Sequence, residues 1–155
     1  RPGRAGGGRA GVAERRGLVG WERGFHGRTV GSQQAGGMAG QKSWIVNDDP
    51  AIITAPFPDG YWQTDTSFGA FLAAVAARGM KAENVAGVIM ETYQGVGPDF
   101  APVEFVKQLR AWCDKHQIVL TFDEVQAGFG RTGKFWAFEH LLTASSLTFR
   151  LLLKS

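Results

Sequence analysis

Two carboxylic acids close short apolar runs in this sequence. Glu91 follows Val85 to Met90, and Asp123 follows Ile118 to Phe122. An apolar run without alternation is the pattern of a strand covered on both faces in a parallel sheet. In open parallel sheets, ligands bind beyond the carboxyl ends of the strands, where loops and helix starts converge. Glu91 and Asp123 both fall on that edge, where a carboxylate can hold a proton or balance a positive charge. Strand-end acids also solvate loops or cap helices, and spacing alone does not separate these uses.

The stretch after Asp123 is rich in residues that mimic nucleotide motifs. Gly128-x-Gly130-x-x-Gly133 matches a dinucleotide fingerprint, but Asp123 to Ala127 separate the strand from the first glycine, and no acid follows Glu139 to hold a ribose. Gly128 to Lys134 also reads as GxxxxGK, a phosphate cradle, with Phe135 where a Mg²⁺-binding Ser or Thr is required. A glycine-rich turn that needs positive φ and close backbone approach accounts for these residues more simply. Cys113 and His116 share a helical spacing, yet His26 and His140 have no motif linking them, so a helix face explains the pair better than zinc.

The elements that position these residues follow from periodicity. Asp65 or Thr66 can cap a helix carrying Phe68, Phe71, Leu72, Val75 and Ala76 on one face, with Gly79 as its stop. A glycine-rich loop from Gln94 to Pro98 leads to Pro102 at the first turn of a second, amphipathic helix. This helix turns Phe105, Val106, Leu109, Trp112 and Cys113 inward and Lys107, Arg110 and Lys115 toward solvent. Strand, helix and strand in that order make a βαβ unit with parallel strands and a right-handed crossover. The fold class is therefore α/β. Gly17 to Trp21 is a further candidate strand, leading to Phe25.

The chain has 155 residues, 44% hydrophobic and 20% charged, which fits one globular domain and excludes wholesale disorder, collagen or a disulfide-stapled miniprotein. Its one cysteine cannot form an internal bridge, which favours a cytoplasmic setting. Residues 1–23 hold six arginines and seven glycines against Glu14 and Glu22, a local charge of +4, so the rest carries −1 of the total +3. Three zones result: an Arg/Gly-rich irregular head (1–23), a globular body (24–140) and an atypical tail (141–155). The head lacks the pattern of a signal or transit peptide, and no run of eighteen apolar residues is present to span a membrane.

The segment Asp123-Glu-Val-Gln-Ala-Gly-Phe-Gly-Arg-Thr-Gly-Lys-Phe-Trp-Ala-Phe-Glu-His140 resembles the signature of class III aminotransferases, pyridoxal phosphate enzymes of fold type I. Gly24-Phe-His-Gly-Arg-Thr29 is similar to that family's aromatic-His-Gly-Arg-Thr segment. Glu91-Thr-Tyr-Gln-Gly95 is similar to its Glu-Pro-x-Gln-Gly loop, with Thr92 in place of proline. The resemblance covers residues 24–140. It implies part of a large domain, three-layer α/β/α with a mostly parallel sheet, and amino-group transfer between an amino donor and a 2-oxo acid through pyridoxal 5'-phosphate.

The resemblance also implies roles. The cofactor ring accepts the electron pair left when the substrate carbon loses a proton, and a carboxylate beside the pyridine nitrogen keeps that ring electron-poor. Asp123 is the catalytic candidate for that carboxylate. Val125 would pack on one ring face and Phe25 on the other, Gln126 would bond the phenolic oxygen, and His26 would sit close by. Glu91 would lie on the substrate side. Glu124 and Arg131 match the signature but read as a structural pair with no catalytic role.

Such an enzyme needs a lysine that holds the cofactor. Lys154 lacks the glycines expected around it, and Gly11-Val-Ala-Glu14 is a poor echo of the family's phosphate turn. The expectation is an incomplete large domain, inactive alone, from a homodimeric family. Two alternatives remain: a nucleotide-binding α/β protein using Gly128 to Lys134, and nucleic-acid binding through the head with Trp21 and Phe25 as stacking residues. The near-neutral body favours neither nucleic acid nor membrane.

Overall fold

The computed structural model describes residues 15–97 and 99–142. In chain order the elements are β1 (Gly17–Trp21), α1 (Val30–Ala35), β2 (Ile52–Ala55), α2 (Phe68–Ala77), β3 (Val85–Glu91), β4 (Tyr93–Gln94), β5 (Asp99–Phe100), α3 (Val103–His116), β6 (Val119–Asp123) and α4 (Glu139–Leu142). Strands β2, β1, β3 and β6 form, in that order, a four-stranded sheet whose pairings are all parallel. β4 and β5 make a separate antiparallel pair.

Alternation along β1 explains the layers. Val19 and Trp21 point to one face. There the Trp21 ring stacks on Phe71 of α2 at 5.3 Å and meets Phe105 of α3 at 5.7 Å edge-on. Gly20 points to the opposite face, where a Cβ would fall 1.9 Å from the Ala35 carbonyl oxygen of α1. Helices thus cover both faces, and the expected α/β/α arrangement with a parallel sheet is present. In β3 the side chains of Val85, Val88 and Met90 are fully buried, as its unbroken apolar run requires.

Several details differ from the sequence reading. The cap of α2 is Ser67, whose Oγ accepts from the Ala70 amide at 3.2 Å, because Asp65 is engaged one step earlier, accepting from the Ser67 amide at 2.9 Å. Gly79 does follow α2 with φ +73°. Arg110 is buried rather than solvent-facing: its stem packs into the helix surface while its guanidinium makes a two-point contact with Asp114, at 3.1 and 2.6 Å. Strand β1 lies inside the segment assigned to the head. Just before it, Arg15 donates to the carbonyl oxygens of His116 and Gln117, placing a cation at the carboxyl end of α3.

Candidate functional site

The β3–β6 ladder ends on the pair Glu91 and Asp123, which sit side by side at the carboxyl edge of the sheet. Both acids are buried. A buried carboxylate persists only with donors around it, and each acid has drawn in a different loop. Asp123 Oδ2 lies 2.9 Å from His26 Nδ1, and its Oδ1 accepts from the Val125 amide at 3.1 Å. Glu91 Oε2 accepts from the Phe25 amide at 3.0 Å, and Oε1 from the Gly95 amide at 3.2 Å. Burial raises the Glu91 carboxyl above its ordinary value, opposed by those two amides and by His26, and reinforced by the negative charge of Asp123.

These contacts gather three loops. The loop after β1 brings Phe25 and His26, that after β3 brings Gly95, and that after β6 brings Val125 and Gln126. Gly95 admits Gln126 closely: a Cβ on Gly95 would stand 1.9 Å from the Gln126 amide oxygen. Phe25 is 37% exposed and Val125 69% exposed, so both offer apolar surface beside the acids. The six residues singled out from the sequence therefore share one region of the molecule.

Two further residues, both inside the segments that resemble the family motifs but given no site role there, shape this edge. Gln94 is fully buried and its Nε2 donates to the Glu22 carbonyl at 2.7 Å, tying the loop after β3 to the end of β1. Glu124 accepts from the Ala137 and Phe138 amides, each at 2.9 Å, and from the Thr92 hydroxyl. Glu124 is thus held by groups other than the Arg131 side chain paired with it in the sequence reading. Arg131 instead lines an open cavity of about 460 Å³ with Tyr93, Phe100, Thr132 and His140.

The glycine-rich segment is a turn, not a phosphate cradle. Phe129, Gly130 and Gly133 have φ of +55°, +82° and +88°. No helix starts directly after Lys134, as a phosphate cradle of that pattern requires; the next is the four-residue α4 at Glu139. Trp21 is buried beneath Phe71 and Phe105 and offers no face to a base. Cys113 is buried in the core, and among the described residues no group of three or more His, Cys, Asp or Glu is arranged to hold a metal. No helix among them is long and apolar enough to cross a membrane. Lys154, the segment Gly11 to Glu14 and most of the tail lie outside the described residues.

A family model described as aminotransferase class-III matches residues 5–148. The chain is 39% identical over 126 residues to acetylornithine aminotransferase of Agrobacterium fabrum, covering 79% of this chain and 27% of that protein. It is 37% identical over 128 residues to succinylornithine transaminase of Yersinia enterocolitica, covering 82% and 28%. It is 35% identical over 142 residues to a probable 4-aminobutyrate aminotransferase of Bacillus subtilis, covering 82% and 31%. A solved aminotransferase from Bacillus anthracis superposes with a TM-score of 0.72 at 27% identity, over 82% of this chain and 30% of that one. The chain therefore spans less than a third of the length of these relatives.

Proposed function

Because the chain belongs to the class-III aminotransferase family, we propose that the protein it represents moves an amino group from an amino donor to a 2-oxo acid with pyridoxal 5'-phosphate as carrier. The observation that carries this reading is the buried contact between His26 and Asp123 at the tip of β6, flanked by the apolar side chains of Phe25 and Val125. An anionic acceptor oriented by an imidazole and bordered by exposed apolar groups suits a flat, cationic heteroaromatic ring. When bound, that ring supplies the sink for the electron pair released as the substrate carbon loses a proton.

With the cofactor bound, Asp123 would hold a proton on the ring nitrogen by charge attraction, with His26 fixing that carboxylate. Phe25 and Val125 would exclude water from the ring, and Gln126 would bond its phenolic oxygen. Glu91 stands on the substrate side and keeps the Phe25 loop in place through its backbone bond. The reading extends to a homodimer in the cytoplasm, supported by the family and by the single cysteine; it assigns no nucleic-acid or membrane partner. The chain alone is read as an incomplete, inactive large domain.

The test is a titration of the full chain with pyridoxal phosphate, followed by cofactor absorbance. The parent is expected to bind, and Asp123→Asn to bind on the order of tenfold more weakly, since one lost charge contact beside a cation is worth roughly 1.4 kcal/mol or more. Equal affinity in the two proteins would overturn the assignment. Borohydride treatment is expected to leave Lys154 unlabelled.

A further inference from the structure

The main-chain ladder between β3 and β6 stops at Glu91 and Asp123. The residues just past the two strands are Thr92 and Glu124, and their side chains join where the ladder ends: the Thr92 hydroxyl donates to Glu124 Oε1. Both are almost completely buried, at 3% and 2% exposure. Glu124 anchors this added rung because its two oxygens also accept the Ala137 and Phe138 amides, at 2.9 Å each. The rung therefore sits immediately beyond the two acids and is fixed to the segment that precedes α4.

We infer that Thr92 and Glu124 are positioning residues that hold Glu91 and Asp123 side by side. Their hydrogen bond stops the two loops from splaying where backbone pairing ends. Other contacts across these loops are the Phe25 amide on Glu91, the His26–Asp123 pair, the Gln94 side chain on the Glu22 carbonyl and a long, 3.5 Å contact from the Tyr93 hydroxyl to the Gln126 carbonyl, whereas the Thr92–Glu124 bond joins the positions directly next to the two acids. Thr92 stands where the resembling loop carries proline, a residue with no donor, so the rung depends on the threonine hydroxyl. The inference rests on the reading of Asp123 given above. Its test is made without cofactor, so that failure of this coupling and failure of cofactor binding are separate results.

Two signals report the coupling in the full chain: the His26 Nδ1 proton seen by NMR, assigned through its loss in His26→Gln, and hydrogen exchange of the Val125 amide. In Thr92→Val the imidazole proton is expected to broaden or shift, and the Val125 amide to exchange on the order of tenfold faster. Core amides such as those of Val88 and Leu120 are expected to keep their protection. Thr92→Ser, which keeps the hydroxyl, is expected to restore both signals. Glu124→Ala, which removes the acceptor, provides a second break of the rung and is expected to loosen the same two reporters. Unchanged reporters in Thr92→Val with an intact core, or failure of Thr92→Ser to restore them, would overturn the inference. Should Thr92→Val also lose core protection, unchanged reporters in Glu124→Ala overturn it equally.

Discussion

His26 Nδ1 and Asp123 Oδ2 are 2.9 Å apart, joining the loop after β1 to the tip of the edge strand β6 across 97 residues of sequence. Both side chains are buried, so neither can exchange its partner for water. Asp123→Ala is expected to leave the imidazole without this acceptor and to destabilise the chain by about 1–3 kcal/mol in urea unfolding. Asp123→Asn keeps an acceptor in place and is expected to lose less. The two variants separate the structural use of the side chain from the use of its charge.

Glu91 makes stability depend on pH with an unusual sign. Its folded carboxyl titrates above the ordinary value of 4.5 because of burial. The folded chain therefore binds that proton more tightly than the unfolded one, and the Glu91 contribution to stability declines as pH rises from 4.5 through the folded value. Unfolding free energies measured across this range are expected to fall toward neutral pH in the parent relative to Glu91→Gln. Asp59 acts oppositely and lower: the amides of Tyr61, Gln63 and Trp62 together with Arg23 outweigh its burial and hold it below 3.8, so its contribution is lost as pH drops beneath that value.

Two glycines predict contrasting outcomes. Gly20→Ala drives a methyl into the backbone carbonyl of Ala35, which cannot yield without moving α1, and is expected to cost about 3 kcal/mol or more in stability. Gly95→Ala meets only the end of the Gln126 side chain, which can swing aside. Thermal unfolding is expected to show a change within about 1 kcal/mol, while pyridoxal phosphate titration shows weaker binding because Gln126 has been displaced.

Cys113 offers a probe of unfolding. It is completely buried in α3, and desolvation pushes its thiol up to about 12. Labelling with a thiol reagent near pH 8 is expected to be slow in the folded chain and to accelerate with denaturant in step with the loss of helical signal. Rapid labelling without denaturant would contradict the burial.

Strands β3 and β6 and helix α3 were legible in the sequence because each carries a long, undiluted signal: Val85 to Met90, Ile118 to Phe122, and the inward stripe from Phe105 to Cys113. Once those were placed, Glu91 and Asp123 had to share an edge. Strand β2 was not legible, since four residues at the rim of the sheet, two of them only half-buried, present little pattern. The cap of α2, expected at Asp65 or Thr66, falls on Ser67 instead, because Asp65 is used to close the preceding turn. Glu124 looked like a partner for Arg131 because the two are close in sequence; its actual donors, Thr92, Ala137 and Phe138, become neighbours only when β3 lies beside β6.

Side chains alternate along a strand, so sliding β6 by a single residue against β3 would turn Asp123 away from His26 and carry Phe122 to the rim. Such a misaligned chain would strand an acid with no donor and expose an aromatic ring, two penalties that arrive together. The polar contacts on and beyond the last rung are therefore compatible with a single alignment of the two strands, and they mark that alignment in the folded molecule.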